Sequence, residues 1–126
     1  MENCLFCKII AGDIPSTKVY EDGFCYAFRD INPQAPTHVL VVPKQHVASI
    51  AEMNKLPDDA LCAIMRAIGK IAAQEGLTNG FRVVSNCGPD ACQSVPHLHF
   101  HILGGRQMDD QMAGLVGFLP AKRMKM

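Results

Sequence analysis

Two hydrophobic periods divide this chain. Over Pro57 to Glu75 apolar residues recur at spacings of three and four, with Leu61, Ile64, Ile68 and Ile71 on one stripe, which predicts a long amphipathic helix. Pro57, Asp58 and Asp59 open it at the positive end of its dipole, and Gly76 closes it. Elsewhere the period is two. Thr37 to Val42, ended by Pro43, is nearly all apolar and rich in β-branched residues. It predicts a central strand with His38, Leu40 and Val42 on one face and Val39 and Val41 on the other. Residues 17–20 and 24–29 read as strands joined by the turn Glu21-Asp22-Gly23. Gly80 to Asn86 reads as a further strand, before the turn Cys87-Gly88-Pro89-Asp90. Residues 4–11 read as a short helix, with Leu5, Ile9 and Ile10 on one side and Gly12 as its stop. The clearest alternation is the last: Leu98, Phe100 and Ile102 interleave with His97, His99 and His101. A strand there buries one face and presents three imidazoles on the other. About five strands, one long helix and a short N-terminal helix result. Hairpin links, with too few crossovers for an all-parallel sheet, predict an α+β fold on an antiparallel sheet.

A length of 126 residues fits a single domain over 1–126, with 109–126 as a C-terminal tail. The charges balance at 12 acidic and 12 basic residues, so no broad basic face for nucleic acid is expected. No apolar run approaches the roughly 20 residues of a membrane span. The N-terminus shows no basic-then-apolar leader, and six cysteines without one read as reduced thiols in the cytoplasm. Cys25, Cys62 and Cys87 read as small apolar residues.

The histidine row narrows the chemistry. At about 3.3 Å per residue, His97 and His101 would lie roughly 13 Å apart along a strand. Zn–N bonds are only about 2.0–2.1 Å, so one ion cannot take all three rings. Nucleophile, acid or base, and electrostatic clamp remain, and a neutral imidazole with its other nitrogen hydrogen-bonded suits attack on phosphorus. Any of the three rings qualifies. Gln93 and Ser94 before the strand, and Asn86 at the end of the preceding one, offer amides and a hydroxyl to an anionic group. His38 lies beside the row if its strand is a neighbour.

His97-Leu98-His99-Phe100-His101-Ile102-Leu103 resembles the signature of the histidine triad (HIT) family of nucleotide hydrolases and transferases. The chain is most similar to the Hint branch, the purine nucleoside phosphoramidases. Supporting segments are Phe6-Cys7-Lys8-Ile9-Ile10, Asp30 through His38, Pro43-Lys44-Gln45-His46, and Gln93-Ser94 through Gly104-Gly105-Arg106-Gln107-Met108, spread over residues 4–108. The resemblance implies cleavage of the P–N bond of AMP- or GMP-type phosphoramidates through a covalent nucleotidyl-histidine at His99. It implies that His101 contacts the α-phosphate, that His38 tunes the nucleophile, that Ser94 serves the leaving group and that Asn86 binds phosphate. It further implies that Asp30 takes the ribose hydroxyls and that Phe6, Phe28, Ile31 and Leu40 line a slot for the base. A homodimer with a continuous sheet is implied as well. Dinucleoside polyphosphate hydrolysis and a nucleotide-binding scaffold role are the alternatives; Ser94 and Gly-Gly-Arg-Gln favour the phosphoramidase branch. Cys92 departs from the family, whose members commonly have glycine there. The 109–126 tail differs from the short Trp-Pro-Pro ending of animal relatives.

Cys4-Leu5-Phe6-Cys7 is a C-x-x-C, a spacing that can place two thiolates on one metal. The resemblance extends the set to His46 and His97, since some bacterial members hold structural zinc with such a pair plus two histidines. His97 then becomes an anchor rather than a reacting group.

Overall fold

The computed structural model describes residues 3–110, so the expected tail lies outside the described residues from 111 onward. One sheet contains β1 (Lys18–Glu21), β2 (Cys25–Arg29), β3 (Thr37–Pro43), β4 (Phe81–Val84) and β5 (Phe100–Gly104). The spatial order is β1-β2-β3-β5-β4, and each adjacent pair is antiparallel. The helices are α1 (Leu5–Ala11) and α2 (Asp58–Gln74). β3 and β4 both flank β5, so the connection through α2 is a crossover, and β5 returns into the gap between them. The expected α+β architecture is observed. Among the described residues no helix is long and apolar enough to cross a membrane.

Each sheet face has its own core. Toward α2, Cys25, Ala27, Val39, Val41, Leu98, Phe100 and Ile102 pack with Ile64, Ala67, Ile68 and Ile71. Toward α1, Tyr26, Phe28, Leu40 and Val42 pack with Cys4, Phe6 and Ile9. Strand alternation thus sends the apolar residues of the histidine segment to the α2 side and frees the α1 side for the rings. Pairing of β3 with β5 sets Leu40 opposite His101 and His38 opposite Leu103, which brings His38 and His101 onto that same side.

The structure differs from the sequence reading in four places. β5 starts only at Phe100, because the Leu98 amide donates to Val47 O (2.8 Å) and His99 O accepts from the Ser85 hydroxyl (2.7 Å). His97 and His99 therefore keep the alternation but stand outside the ladder, and β4 correspondingly stops at Val84 rather than Asn86. On α1 Ile9 and the partly buried Ile10 face the core as expected, but Phe6 joins them and Leu5 is 42% exposed. Cys4 caps the helix by accepting the Cys7 amide at 3.4 Å, which sets that rotation. A 3-10 segment at Ile50–Lys55 had no periodic signal; the Ser49 hydroxyl caps it, and the Glu52 carboxylate accepts the Ala48 amide. Cys25 is buried as expected, whereas Cys62 and Cys87 are exposed.

Candidate active site and metal cluster

His99 is buried, and its Nδ1 lies 2.7 Å from its neighbour His97's carbonyl oxygen. A carbonyl only accepts, so Nδ1 carries the proton and Nε2 keeps its lone pair. The Phe6 ring meets the His99 ring edge-on at 5.0 Å, and His101 lies 5.1 Å away between ring centres. The bare Nε2 of His99 is therefore fixed in place by a main-chain acceptor and by packing.

The second ring pair follows the same logic. The Gln34 amide donates to His38 Nδ1 (3.0 Å), so His38 carries its proton on Nε2. That N–H faces His101 Nδ1 at 2.9 Å and Asp30 Oδ2 at 3.4 Å, both acceptors. His101 Nδ1 is thus an acceptor, and its proton sits on Nε2, available to a bound anion. Burial lowers both rings' proton affinity. His38 is shifted down, against the opposing pull of Asp30, and His101 is pushed down to about 4 by burial and by the rings of His99 and His38. Both are neutral near pH 7, as a directional N–H relay needs.

Four candidate metal ligands converge at His97, whose ring centre lies 6.0 Å from that of Phe6. Cys4 Sγ, Cys7 Sγ, His46 Nδ1 and His97 Nδ1 all lie within 4.8 Å of one another. Individual separations are 3.3 Å (Cys4–His97), 3.4 Å (Cys7–His46), 3.5 Å (Cys7–His97) and 3.1 Å (His46–His97). A tetrahedral ion with Zn–N of about 2.0–2.1 Å and Zn–S of about 2.3 Å spaces its ligand atoms roughly 3.3–3.8 Å apart, so the set fits. His97 Nε2 donates to Pro43 O at 2.8 Å, leaving Nδ1 deprotonated toward the cluster, the arrangement expected of an outer-shell carbonyl. Without a cation, burial and the Cys4 sulfur push the Cys7 thiol up to about 11. A divalent ion reverses that preference. Asp30, His38 and His101 are also grouped closely enough for a metal. There the Gln34 amide occupies the His38 lone pair, so Nε2 is a donor and cannot ligate. Tautomer separates the two clusters: one is a candidate metal site, the other a hydrogen-bond relay.

The remaining sequence-derived residues are placed as follows. Asp30 Oδ1 accepts the Asn32 amide at 2.8 Å, leaving lone pairs on the carboxylate. Phe6, Phe28 and Leu40 are buried together, and Ile31 beside Asp30 is 92% exposed. Asn86 is half-buried, Ser94 is exposed, and neither makes a side-chain hydrogen bond among the described residues. The Gln93 amide is committed elsewhere: its Oε1 accepts the Gly88 amide (2.9 Å), and its Nε2 donates to Ala48 O (2.7 Å) and Val95 O (2.9 Å). It braces the loop rather than facing an anion. Cys92 is exposed and left-handed at φ 58, a conformation that glycine takes without strain. Sequence reasoning missed Gln34, Pro43 and Ser85 as supports. Gln34 and Pro43 act through the main chain, which leaves no side-chain signal.

A family model described as "HIT domain" matches residues 11–108. A "14 kDa zinc-binding protein" of Zea mays is 50% identical over 107 residues, covering 83% of this chain and 84% of the relative. "Adenylylsulfatase HINT1" of Arabidopsis thaliana is 46% identical over 107 residues, covering 83% of this chain and 73% of the relative. The solved structure of a "HIT family hydrolase" from Clostridium thermocellum superposes with a TM-score of 0.84 at 46% identity, covering 89% of this chain and 98% of that one.

Proposed function

The chain belongs to the HIT domain family, and from that premise we propose that it is a nucleotide hydrolase that cleaves the P–N bond of purine nucleoside phosphoramidates. The observation that carries this reading is the opposed pair of tautomers, a bare Nε2 on His99 and a protonated Nε2 on His101. Attack by His99 Nε2 on the α-phosphorus forms a nucleotidyl-histidine and breaks the bond to the amine. The amine leaves with a proton drawn from solvent and passed over the Ser94 hydroxyl. Water then breaks the new P–N bond, returning the lone pair to Nε2 and releasing the nucleoside monophosphate. The His101 N–H and the Asn86 amide offset charge on the phosphoryl oxygens. The Asp30 carboxylate takes the ribose hydroxyls. Ile31, backed by Phe6, Phe28 and Leu40, meets the purine. Zinc at Cys4, Cys7, His46 and His97 is structural, a reading supported by the maize relative's description as zinc-binding. On this reading the enzyme works in the cytoplasm.

The Arabidopsis relative's description as an adenylylsulfatase favours a second substrate, adenylyl sulfate, whose leaving group needs no proton. Initial rates on adenosine 5′-phosphoramidate and adenylyl sulfate, measured side by side, separate the two. The phosphoramidate should be the faster, and absence of turnover on either rejects a hydrolase.

The protein acts as a homodimer through β4. This edge strand leaves Phe81 and Val83 43% and 42% exposed. The opposite edge, β1, is blunted by a register shift and a Lys18–Glu21 ion pair. Sedimentation should give twice the chain mass, and a monomer at micromolar concentration would contradict it.

A further inference from the structure

The Gly104-Gly105-Arg106-Gln107 segment starts on the last residue of β5, yet none of its side chains reaches the histidines. Its importance lies in where it ties the main chain. Arg106 Nη2 donates to Gln34 O at 3.0 Å, and its Nη1 donates to Gln107 O at 3.1 Å, so the guanidinium bridges two backbone carbonyls. The residue it holds, Gln34, presents its own amide to His38 Nδ1 at 3.0 Å. That contact puts the His38 proton on Nε2, which passes the preference to His101 Nδ1 at 2.9 Å. The approach of the two loops is close. Gly105 sits at φ +91, and a Cβ on it would lie 2.9 Å from Pro36 Cβ. The glycine is thus what lets the segment come near enough for Arg106 to reach Gln34.

We infer that Arg106 is a positioning residue that sets the direction of the His38–His101 relay, acting through the main chain of residue 34, whose carbonyl it holds and whose N–H meets His38. With the tie intact, the Gln34 N–H occupies the His38 lone pair and His101 points an N–H at the phosphoryl group. When the tie is released, residue 34 moves off and His38 takes its proton on Nδ1. His101 then donates back to His38 and turns a lone pair toward the anion. Geometry of the rings changes little, while the sign of the contact with the phosphoryl oxygens reverses. The inference rests on the roles given above to His99 and His101.

The test compares wild type, Arg106→Ala, Arg106→Lys and Gly105→Ala with ¹⁵N-labelled histidine and steady-state kinetics on adenosine 5′-phosphoramidate. Arg106→Ala should lower kcat on the order of tenfold with KM within about twofold. That is less than the ~10²–10³-fold cost of deleting a donor outright, because Asp30 Oδ2 at 3.4 Å still holds part of the His38 population with its proton on Nε2. The His101 nitrogen shifts should move from the Nε2-protonated toward the Nδ1-protonated pattern, while those of His99 stay. Arg106→Lys retains one donor and should recover most of both signals. Gly105→Ala, which pushes the segment off Pro36, should reproduce the Arg106→Ala pattern and serves if that variant fails to fold. Unchanged His38 and His101 shifts in Arg106→Ala, or a loss of stability with kcat within twofold of wild type, overturn the inference. A wild type inert toward nucleotides overturns the hydrolase reading alone, because the nitrogen shifts judge the tie without turnover.

Discussion

His99→Ala should abolish turnover of adenosine 5′-phosphoramidate, with a loss of roughly 10⁴-fold or more, as when an enzyme loses its covalent nucleophile. No neighbouring ring can take over. His101 points a protonated nitrogen outward, and His97 has one nitrogen on Pro43 O and the other among the cysteines. Loss of the ring leaves a gap against Phe6, so a moderate fall in thermal stability is expected alongside. Binding of AMP, proposed above to rest on Asp30, Asn86 and His101, should survive within a few fold by calorimetry. Mass spectrometry of quenched wild-type reactions should show a nucleotidyl adduct on the peptide holding His99, absent from the variant. Near-full activity in His99→Ala, or an adduct on another histidine, would refute the assignment.

Metal removal should have the largest effect on stability. A ligand present at about a thousand times its dissociation constant stabilises a fold by about 4 kcal/mol. For a domain of this size that corresponds to a fall in Tm of roughly 10–20 °C after chelation. The metal-free form should also be acid-sensitive. Burial first, then the neighbouring His46 and His99 rings, depress His97 to about 4, with the Pro43 carbonyl opposing, and His101 is likewise pushed to about 4. Both rings bind protons less well folded than unfolded, where histidine titrates near 6.5. Their contribution is therefore complete above pH 6.5 and is lost as pH falls toward and through 4. Thermal melts of chelated protein should be flat from pH 8 to 7 and decline steadily below 6.5. Zinc-free protein from a chelator-free preparation, by elemental analysis, would reject the metal centre. A Tm unmoved by chelation would do the same.

Much of this molecule is legible in its periodicity. The α2 stripe and the two-sided β3 follow from apolar spacing, and their cores lie where the spacing puts them. The alternation of Leu98, Phe100 and Ile102 with the histidines likewise sorts the segment onto two faces, even where the ladder is absent. The boundary of β5 was not legible, because Val47 O and Ser85 compete for the main chain at Leu98 and His99, and such tertiary partners leave no local pattern. The rotation of α1 was misread for a related reason. The Cys4 sulfur accepts a helix N–H, a cap outside the usual Ser, Thr, Asp and Asn set. At the site, the ring types were visible in the sequence, but the proton on each ring was not. That depends on His97 O, Pro43 O and the Gln34 amide: every residue carries the carbonyl, and every residue but proline the N–H.

Those three main-chain partners have a practical corollary for anyone transplanting this chemistry. Copying His38, His97, His99 and His101 onto another scaffold at matched ring positions would reproduce the metal-competent and nucleophilic groups without their proton assignment. Each ring would be free to relax to whichever tautomer its new surroundings preferred. The transferable unit is therefore the path of three short backbone stretches, around residues 34, 43 and 97. Within them, the exposed side chain at 34 can be exchanged for solubility or expression, so long as the curve of the chain and the amide hydrogen at 34 are kept, whereas Pro43 is fully buried and part of the packing.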